Sequence, residues 1–314
     1  MKVEDSTDCG SGSFFDWGEL TAHFKPHLQV GWRSKTTSSE VVAKIDGVLR
    51  QNVTLGGLSV AVSSTTNPKP YTFAAGCADV VKQTPIEDDH SFGIGSITKV
   101  FVALITLQLI EEGRLHLSDT VKQHLQSHVY HDIDCAKPAT IEQLLRHRAG
   151  IDSWEEDPIW IVQGRGRSIR PAYIWRREHT LEYVRRPKIF APVPGEYYYA
   201  STNYTLLGLI IEEVTHTTAE SEIRRRILDP LKMDHTFLEG FEDAKNEHAP
   251  RRYHLATARF QEVAGVSPAF SQVSSELIDV TGSNLSVSWL AGGMSSTTTD
   301  LLKLGRAMQQ GLLH

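Results

Sequence analysis

The sequence predicts an α+β fold in which an antiparallel sheet is flanked by helices and joined to a mainly helical lobe. Near the N-terminus, a helical apolar stripe precedes an alternating β-branched run and a second predicted strand, with turn residues between them. From Ser96 onward, the apolar pattern is helical over most of the chain. The length of 314 residues and the hydrophobic fraction of 40% leave room for a large core.

Composition excludes several classes of protein. A net charge of −6 and a pI near 6.2 argue against a general nucleic-acid binder. The three cysteines, Cys9, Cys77 and Cys135, are too few and too scattered to predict a disulfide framework. The N-terminus is acidic where a signal peptide needs an apolar core, and the apolar run from Val100 to Ile110 is too short to span a bilayer. We therefore expect a cytoplasmic protein with no membrane span.

We predict that the chain divides into an N-terminal extension and one large domain. Residues 1–35 are Gly/Ser-rich and then aromatic, and we predict them to be an N-terminal extension. The domain is predicted over residues 36–314, with residues 36–92 opening the α/β lobe and residues 93–314 forming the helical lobe. A helix in "SSEVVAKIDGVLRQN" and strands in "GGLSVAVSS" and "NPKPYTFAAGCADV" are expected in the first part.

The helical lobe is expected to contain at least five helices. Their apolar patterns and stop signals lie in Val100–Gly113, "TIEQLLRHRAG", "NYTLLGLIIEEVTH", "ESEIRRRILDPL" and "TTDLLKLGRAMQQGLLH". The Thr-Thr-Asp start of the last segment predicts an N-cap.

Ser96 and Lys99 form a candidate catalytic pair at the start of the first of these helices. Residues three apart share a helix face, so the hydroxyl and the amine can touch. A serine is a weak nucleophile at neutral pH, and a lysine buried among apolar residues has a lowered pKa and can act as its base. The alternative is that Ser96 merely caps the helix while Lys99 extends to solvent, because such a pair is common by chance.

The surrounding motifs favour a catalytic role for Ser96 and Lys99. "FGIGSITK" resembles the signature F-x-I-G-S-x-T-K of penicillin-binding proteins and serine β-lactamases, as it is written in class C β-lactamases, carboxylesterases and acyltransferases. "TIEQLLRHRAGI", "NYTLLGLIIEEVT", "ILDPLKMDHTFL" and "AGGMSSTTTDLLKLGRAM" resemble later family segments in the same order. The resemblance covers Val41 to the C-terminus and implies a β-lactamase/transpeptidase-like fold.

The family resemblance also implies a catalytic tyrosine in a Y-x-N loop. Counting back from the "NYTLLG" helix places Tyr199 on the tyrosine of this motif, and Ser201 replaces the asparagine. Tyr197 and Tyr198 are the competing tyrosines, which we interpret as wall residues. The resemblance places Ser201 and Gly95 among the residues that contact substrate.

The third family motif, a K-T-G or H-x-G strand, is not found after "AGGMSSTTTD". We therefore expect the C-terminal strands of the sheet to be missing. Two explanations remain open: a truncated form of a longer protein, or a natural short variant that is not catalytic.

Other candidate sites have weaker support. "HVYHDIDC" contains ligand-type residues but lies where the family has a surface connection, so no metal site is expected. An arginine-rich segment is interpreted as a solvated surface, with contact to an anionic acyl donor or acyl carrier as the alternative; it contains Arg165, Arg167, Arg170, Arg176, Arg177, Arg185 and Arg186.

Together these observations predict a serine hydrolase or acyltransferase that acts on an ester or amide of a small molecule. Ser96 forms the acyl-enzyme, and Lys99 and Tyr199 act as base and proton relay. No cofactor is expected. The partner is a small-molecule ester or acyl donor, with an acyl carrier or acyl-thioester as a further candidate. The alternative function is a catalytically silent scaffold of the same fold, and the oligomeric state stays open.

Overall fold

The computed structural model describes residues 38–53, 56–64, 67–185, 192–244 and 248–313. The predicted N-terminal extension lies outside the described residues, so its boundary stays a prediction. Residues 42–314 form one compact unit.

The strands and helices follow the predicted order of the two lobes. The described strands are β1 (Gly57–Ser64), β2 (Asn67–Asp79), β3 (Thr84–Pro85), β4 (Phe92–Gly93), β5 (Phe237–Leu238), β6 (Tyr253–Leu255), β7 (Ser271–Gln272), β8 (Leu277–Asp279) and β9 (Met294–Ser296). The described α-helices are α1 (Ser38–Asn52), α2 (Thr98–Glu111), α3 (Val121–His124), α4 (Ser127–Tyr130), α5 (Ile141–Leu145), α6 (Pro158–Trp160), α7 (Ser201–Thr215), α8 (Ala219–Ile223), α9 (Ala258–Val263), α10 (Trp289–Gly292) and α11 (Thr298–Gln310).

The strands form antiparallel sheets, as predicted. The order β1-β2-β3 makes the opening sheet, and the register pairs Gly57 with Gly76 and Val60 with Phe73. Gly76 has φ +89°, and a Cβ there would lie 2.3 Å from the carbonyl oxygen of Gly56. The position therefore requires glycine. Two smaller sheets, β4-β9-β5 and β6-β8-β7, complete the described strands.

The helical lobe is built around α2 and α7. Both helices are apolar on most of their circumference, which is typical of helices surrounded by protein. The α2 side chains of Phe101, Ile105 and Leu109 are fully buried, and so are Leu206 and Ile210 of α7. These two helices form the centre of the lobe, and the catalytic candidates lie in or just before their first turns.

Two local predictions have different outcomes. The N-cap predicted within the Thr-Thr-Asp sequence, residues 298–300, lies one residue earlier, because the Thr297 hydroxyl accepts a hydrogen bond from the amide of Asp300 at 3.2 Å. The segment "ESEIRRRILDPL" was expected to be one helix, whereas α8 ends at Ile223 and continues as a π-helical turn, Arg224–Leu228. Arg226 in this turn forms a buried ion pair with Glu222 at 2.6 Å, one helical turn earlier.

The described residues bear on two further expectations, the missing C-terminal strands and the absence of a membrane span. The last described strand is β9, so the strand that would carry the third family motif is not among the described residues. No helix in the described part of the chain is both long enough and apolar enough to cross a lipid bilayer.

Candidate active site

Ser96 lies at the exposed start of the central helix. It occupies a 3₁₀ turn, Gly95–Ile97, that leads directly into α2. Gly95 has φ +50° and open space around it, so the chain can turn sharply just before the serine. The amide of Ile94 donates to the carbonyl of Met294 at 2.9 Å, which ties this turn to β9. The N-terminal end of α2 also favours negative charge beside the serine hydroxyl.

Lys99 is buried one turn further along α2, with only 6% of its surface exposed. Its ammonium donates to Ser96 Oγ at 3.1 Å and to the carbonyl oxygen of Ala291 at 2.5 Å. Burial lowers the pKa of Lys99 to about 8, and the nearby Glu155 carboxylate opposes this shift. The lysine is therefore close to the serine and can lose its proton near neutral pH.

Tyr199 reaches the same serine from the loop before α7. Its hydroxyl donates to Ser96 Oγ at 2.7 Å, and its ring centroid lies 4.9 Å from the Lys99 nitrogen. Burial raises the pKa of Tyr199, and hydrogen bonding to Ser96 opposes this shift. Tyr198 instead donates to Asp152 at 3.1 Å, and Tyr197 is exposed. Among the three adjacent tyrosines, Tyr199 is thus the one placed against Ser96.

His147 supports the tyrosine loop and was not singled out from the sequence. Its Nδ1 accepts a hydrogen bond from the amide of Ala200 at 3.1 Å, and its carbonyl accepts one from the amide of Tyr198 at 2.9 Å. Its ring stacks on Tyr199, with the centroids 4.4 Å apart. Burial lowers the pKa of His147 to about 4, and the charge of Lys99 contributes. His147 therefore holds the backbone on both sides of Tyr199, through its carbonyl and its neutral imidazole.

Ser201 lies behind the lysine, where a substrate contact was expected. The residue is fully buried, so its hydroxyl does not reach the open side of the site. The hydroxyl donates to Glu155 Oε2 at 2.9 Å and accepts from Lys99 Nζ at 3.4 Å. In this structure its hydroxyl therefore contacts the lysine, and direct contact with substrate stays a prediction. Glu155 was missed in the sequence because nothing around it marks it as part of a site.

The sequence suggested that the arginine-rich segment is one solvated surface, and the structure shows that it is not. Arg177 pairs with Glu212 at 2.9 Å and Glu220 at 2.7 Å, and Arg185 donates to three backbone carbonyls. The guanidinium of Arg165 lies over the ring of Trp160. The remaining described members, Arg167, Arg170 and Arg176, are exposed, and Arg186 lies outside the described residues. Much of this charge serves the fold, and contact with an acyl carrier stays a prediction.

The structure brings together all five residues that the sequence singled out. Ser96 Oγ receives hydrogen bonds from both Lys99 and Tyr199, which come from different parts of the chain. Gly95 precedes the serine, and Ser201 contacts the lysine. A hydroxyl between an amine that can be neutral and a phenol that stays protonated is suited to nucleophilic attack and proton return.

Comparison with known proteins gives a consistent family. The family model described as "Beta-lactamase" matches residues 45–314. Protein flp of Staphylococcus aureus (strain NCTC 8325 / PS 47) is 32% identical over 183 residues, or 57% of this chain and 34% of flp. Esterase EstB of Burkholderia gladioli is 28% identical over 231 residues, or 69% of this chain and 56% of EstB.

A solved structure extends the similarity to the fold. A D-stereospecific amidohydrolase from Streptomyces sp. superimposes with a TM-score of 0.71 at 28% identity, covering 86% of this chain and 74% of that one. In the sequence comparisons, this chain spans about a third of the length of flp and about half of the length of EstB.

Proposed function

Since this chain belongs to the Beta-lactamase family, whose fold it shares, we propose that it is a serine hydrolase or acyltransferase acting through Ser96. The observation that carries the proposal is the convergence of two donors on Ser96 Oγ, from Tyr199 at 2.7 Å and Lys99 at 3.1 Å. The substrate is an ester or amide of a small molecule.

Lys99 is the base in the proposed reaction. With a pKa of about 8, roughly a tenth of the lysine is neutral at pH 7, and this fraction grows as the pH rises. The neutral amine takes the proton of Ser96 as Oγ bonds to the carbonyl carbon. The carbonyl oxygen of Ala291, 2.5 Å from Nζ, holds the resulting ammonium in place.

Tyr199 returns a proton to the leaving group. Because burial raises its pKa, the phenol enters the reaction protonated, and its hydroxyl points at the reacting oxygen. As the ester C–O or amide C–N bond breaks, the phenol donates to the departing oxygen or nitrogen and regains a proton from the Lys99 ammonium. The acyl group then passes from Ser96 to water, an alcohol or an amine, and the serine regains its proton.

Esters are the favoured substrates over amides. The esterase EstB and the D-stereospecific amidohydrolase are both similar to this chain, so their names support either class. The family's asparagine could donate an N–H to an amide substrate. Ser201 stands in its place with a single hydroxyl donor, and that donor is used by Glu155. We expect a p-nitrophenyl ester to react faster than the matching p-nitroanilide.

A fluorophosphonate probe tests the proposal directly. We expect the protein to gain one covalent adduct on Ser96, detected by intact mass and peptide mapping, and Ser96→Ala to lose it. The matched control is Ser168→Ala, which removes an exposed hydroxyl elsewhere and should label like wild type. A folded protein that is not labelled, or an Ser96→Ala variant still labelled at the wild-type rate, would reject Ser96 as nucleophile and favour the silent scaffold.

A further inference from the structure

A carboxylate reaches the catalytic lysine through one buried hydroxyl. Ser201 Oγ donates to Glu155 Oε2 at 2.9 Å and receives a hydrogen bond from Lys99 Nζ at 3.4 Å. These two bonds place the ammonium and the carboxylate within roughly 6 Å of each other, a range in which opposite charges influence one another's protonation. The side chains thus form a continuous chain from Ser96 to Glu155.

The segment that carries Glu155 is fastened to the start of α7. The amide of Ser201 donates to Ser153 Oγ at 3.2 Å, and the amide of Trp154 donates to Thr202 Oγ1 at 3.2 Å. Thr202 Oγ1 in turn donates to the carbonyl of Asp152 at 2.6 Å. These side chains are buried or half-buried, so the carboxylate is fixed next to the serine hydroxyl.

From this arrangement we propose that Glu155 is a positioning residue that acts through Ser201 to hold Lys99 beside Ser96 and to set the pH at which the lysine becomes a base. The proposal rests on the proposed function. Glu155 does not touch the reacting atoms. Glu155 acts on Lys99 through its charge and through its hydrogen bond with the Ser201 hydroxyl, and Lys99 acts on Ser96.

Several charged or titratable groups face this chain of contacts. The rings of Tyr199 and Tyr204 lie 4.9 and 5.7 Å from Lys99 Nζ, and burial raises the pKa of both phenols, so they are neutral near pH 8. The imidazole of His147, whose pKa is lowered to about 4, is also neutral there. Arg165 interacts electrostatically with Glu155 and with Glu156. Glu155 is therefore the anion that favours the Lys99 ammonium.

The sign of the effect follows from these charges. The Glu155 carboxylate favours the protonated lysine, so its removal lowers the pKa of Lys99 further below 10.5. If neutral Lys99 is the base, the rate of fluorophosphonate labelling rises with pH through this pKa. Glu155→Gln should move the midpoint of that rise to lower pH by about one unit, the low end of the range for neighbouring opposite charges.

The experiment measures the labelling rate of the whole chain as a function of pH. The variants are Glu155→Gln, Glu155→Asp and Ser201→Ala, and the matched control is Glu156→Gln, which removes the same charge from the adjacent residue. We expect Glu155→Gln to shift the midpoint downward, Glu155→Asp to restore most of the wild-type midpoint, and Glu156→Gln to leave it in place. Ser201→Ala should lower the labelling rate at all pH values, since the lysine loses a hydrogen-bond partner.

A second measurement separates this proposal from the proposed function. The ¹³Cε resonance of Lys99, assigned with a Lys99→Met variant, reports the lysine pKa whether or not Ser96 reacts. Equal titration midpoints in wild type and Glu155→Gln, or an equal shift in Glu156→Gln, would overturn the role of Glu155. A shifted lysine resonance together with an unlabelled wild type would keep the electrostatic link and reject the catalytic function.

Discussion

The imidazole of His147 stacks on the phenol of Tyr199, with ring centroids 4.4 Å apart and planes inclined by 28°. The same imidazole accepts a hydrogen bond from the amide of Ala200, the residue directly after the tyrosine. The tyrosine is thus held by its ring and by its backbone at once. Its hydroxyl can remain on Ser96 without a large entropic cost.

His147→Ala should slow the fluorophosphonate labelling of Ser96 by about fivefold, because the loss of an aromatic pair of about 1 kcal/mol releases Tyr199. His147→Asn, whose oxygen can still accept from the Ala200 amide, should retain part of the rate. Tyr197→Phe is the control, since that tyrosine is exposed. Wild-type labelling in His147→Ala would show that the stacking does not position the tyrosine.

His147 should also make the protein less stable in acid. Its pKa is about 4 in the folded protein and 6.5 in the unfolded chain, so between these values only the unfolded chain binds the proton. The free energy of unfolding therefore rises with pH from about 4 to 6.5, and this residue alone contributes about 3 kcal/mol over that window.

Urea unfolding at several pH values measures this contribution. The difference in unfolding free energy between wild type and His147→Asn should change with pH across this window and level off on either side of it. The carboxylates that titrate nearby are present in both proteins and cancel in the difference. A difference independent of pH would contradict a buried neutral imidazole.

Lys99→Met and Tyr199→Phe should each lower the hydrolysis of a p-nitrophenyl ester by about 10²–10⁴-fold. Both groups act on the same Ser96 oxygen, so the double variant should be little slower than the slower single variant. Steady-state kinetics on the three variants, with circular dichroism as the fold control, measures the coupling. Losses that multiply would indicate that the two side chains act independently.

Gly208→Ala should destabilise the core by about 1–3 kcal/mol. Gly208 lies in α7, and an added Cβ would stand 2.5 Å from Leu290 Cδ1 and 2.8 Å from Trp289 Cη2. The matched control is Gly305→Ala in α11, where an added Cβ meets nothing within 4 Å and should stabilise the helix by up to about 1 kcal/mol. Chemical denaturation compares the two, and equal effects would contradict the close packing of α7 on α10.

The sequence by itself determined the features that depend on neighbouring residues. The apolar periodicity predicted α1, β1 and β2 near the bounds that the structure gives them, and the Thr-Thr-Asp sequence predicted the cap of α11 to within one residue. Ser96 and Lys99 are three residues apart at a helix start, so their proximity follows from helix geometry alone. The family resemblance added Tyr199, whose motif is also local.

Only the tertiary structure decided what surrounds this pair. Glu155 and Ser201 are 46 residues apart, and the Lys99 ammonium and the Ala291 carbonyl 192 residues apart, so no local pattern relates them. The same holds for Arg177, whose acidic partners Glu212 and Glu220 lie more than 30 residues away in the chain. The charge state of Lys99 is set by burial and by Glu155, and both of these arise from packing between distant segments.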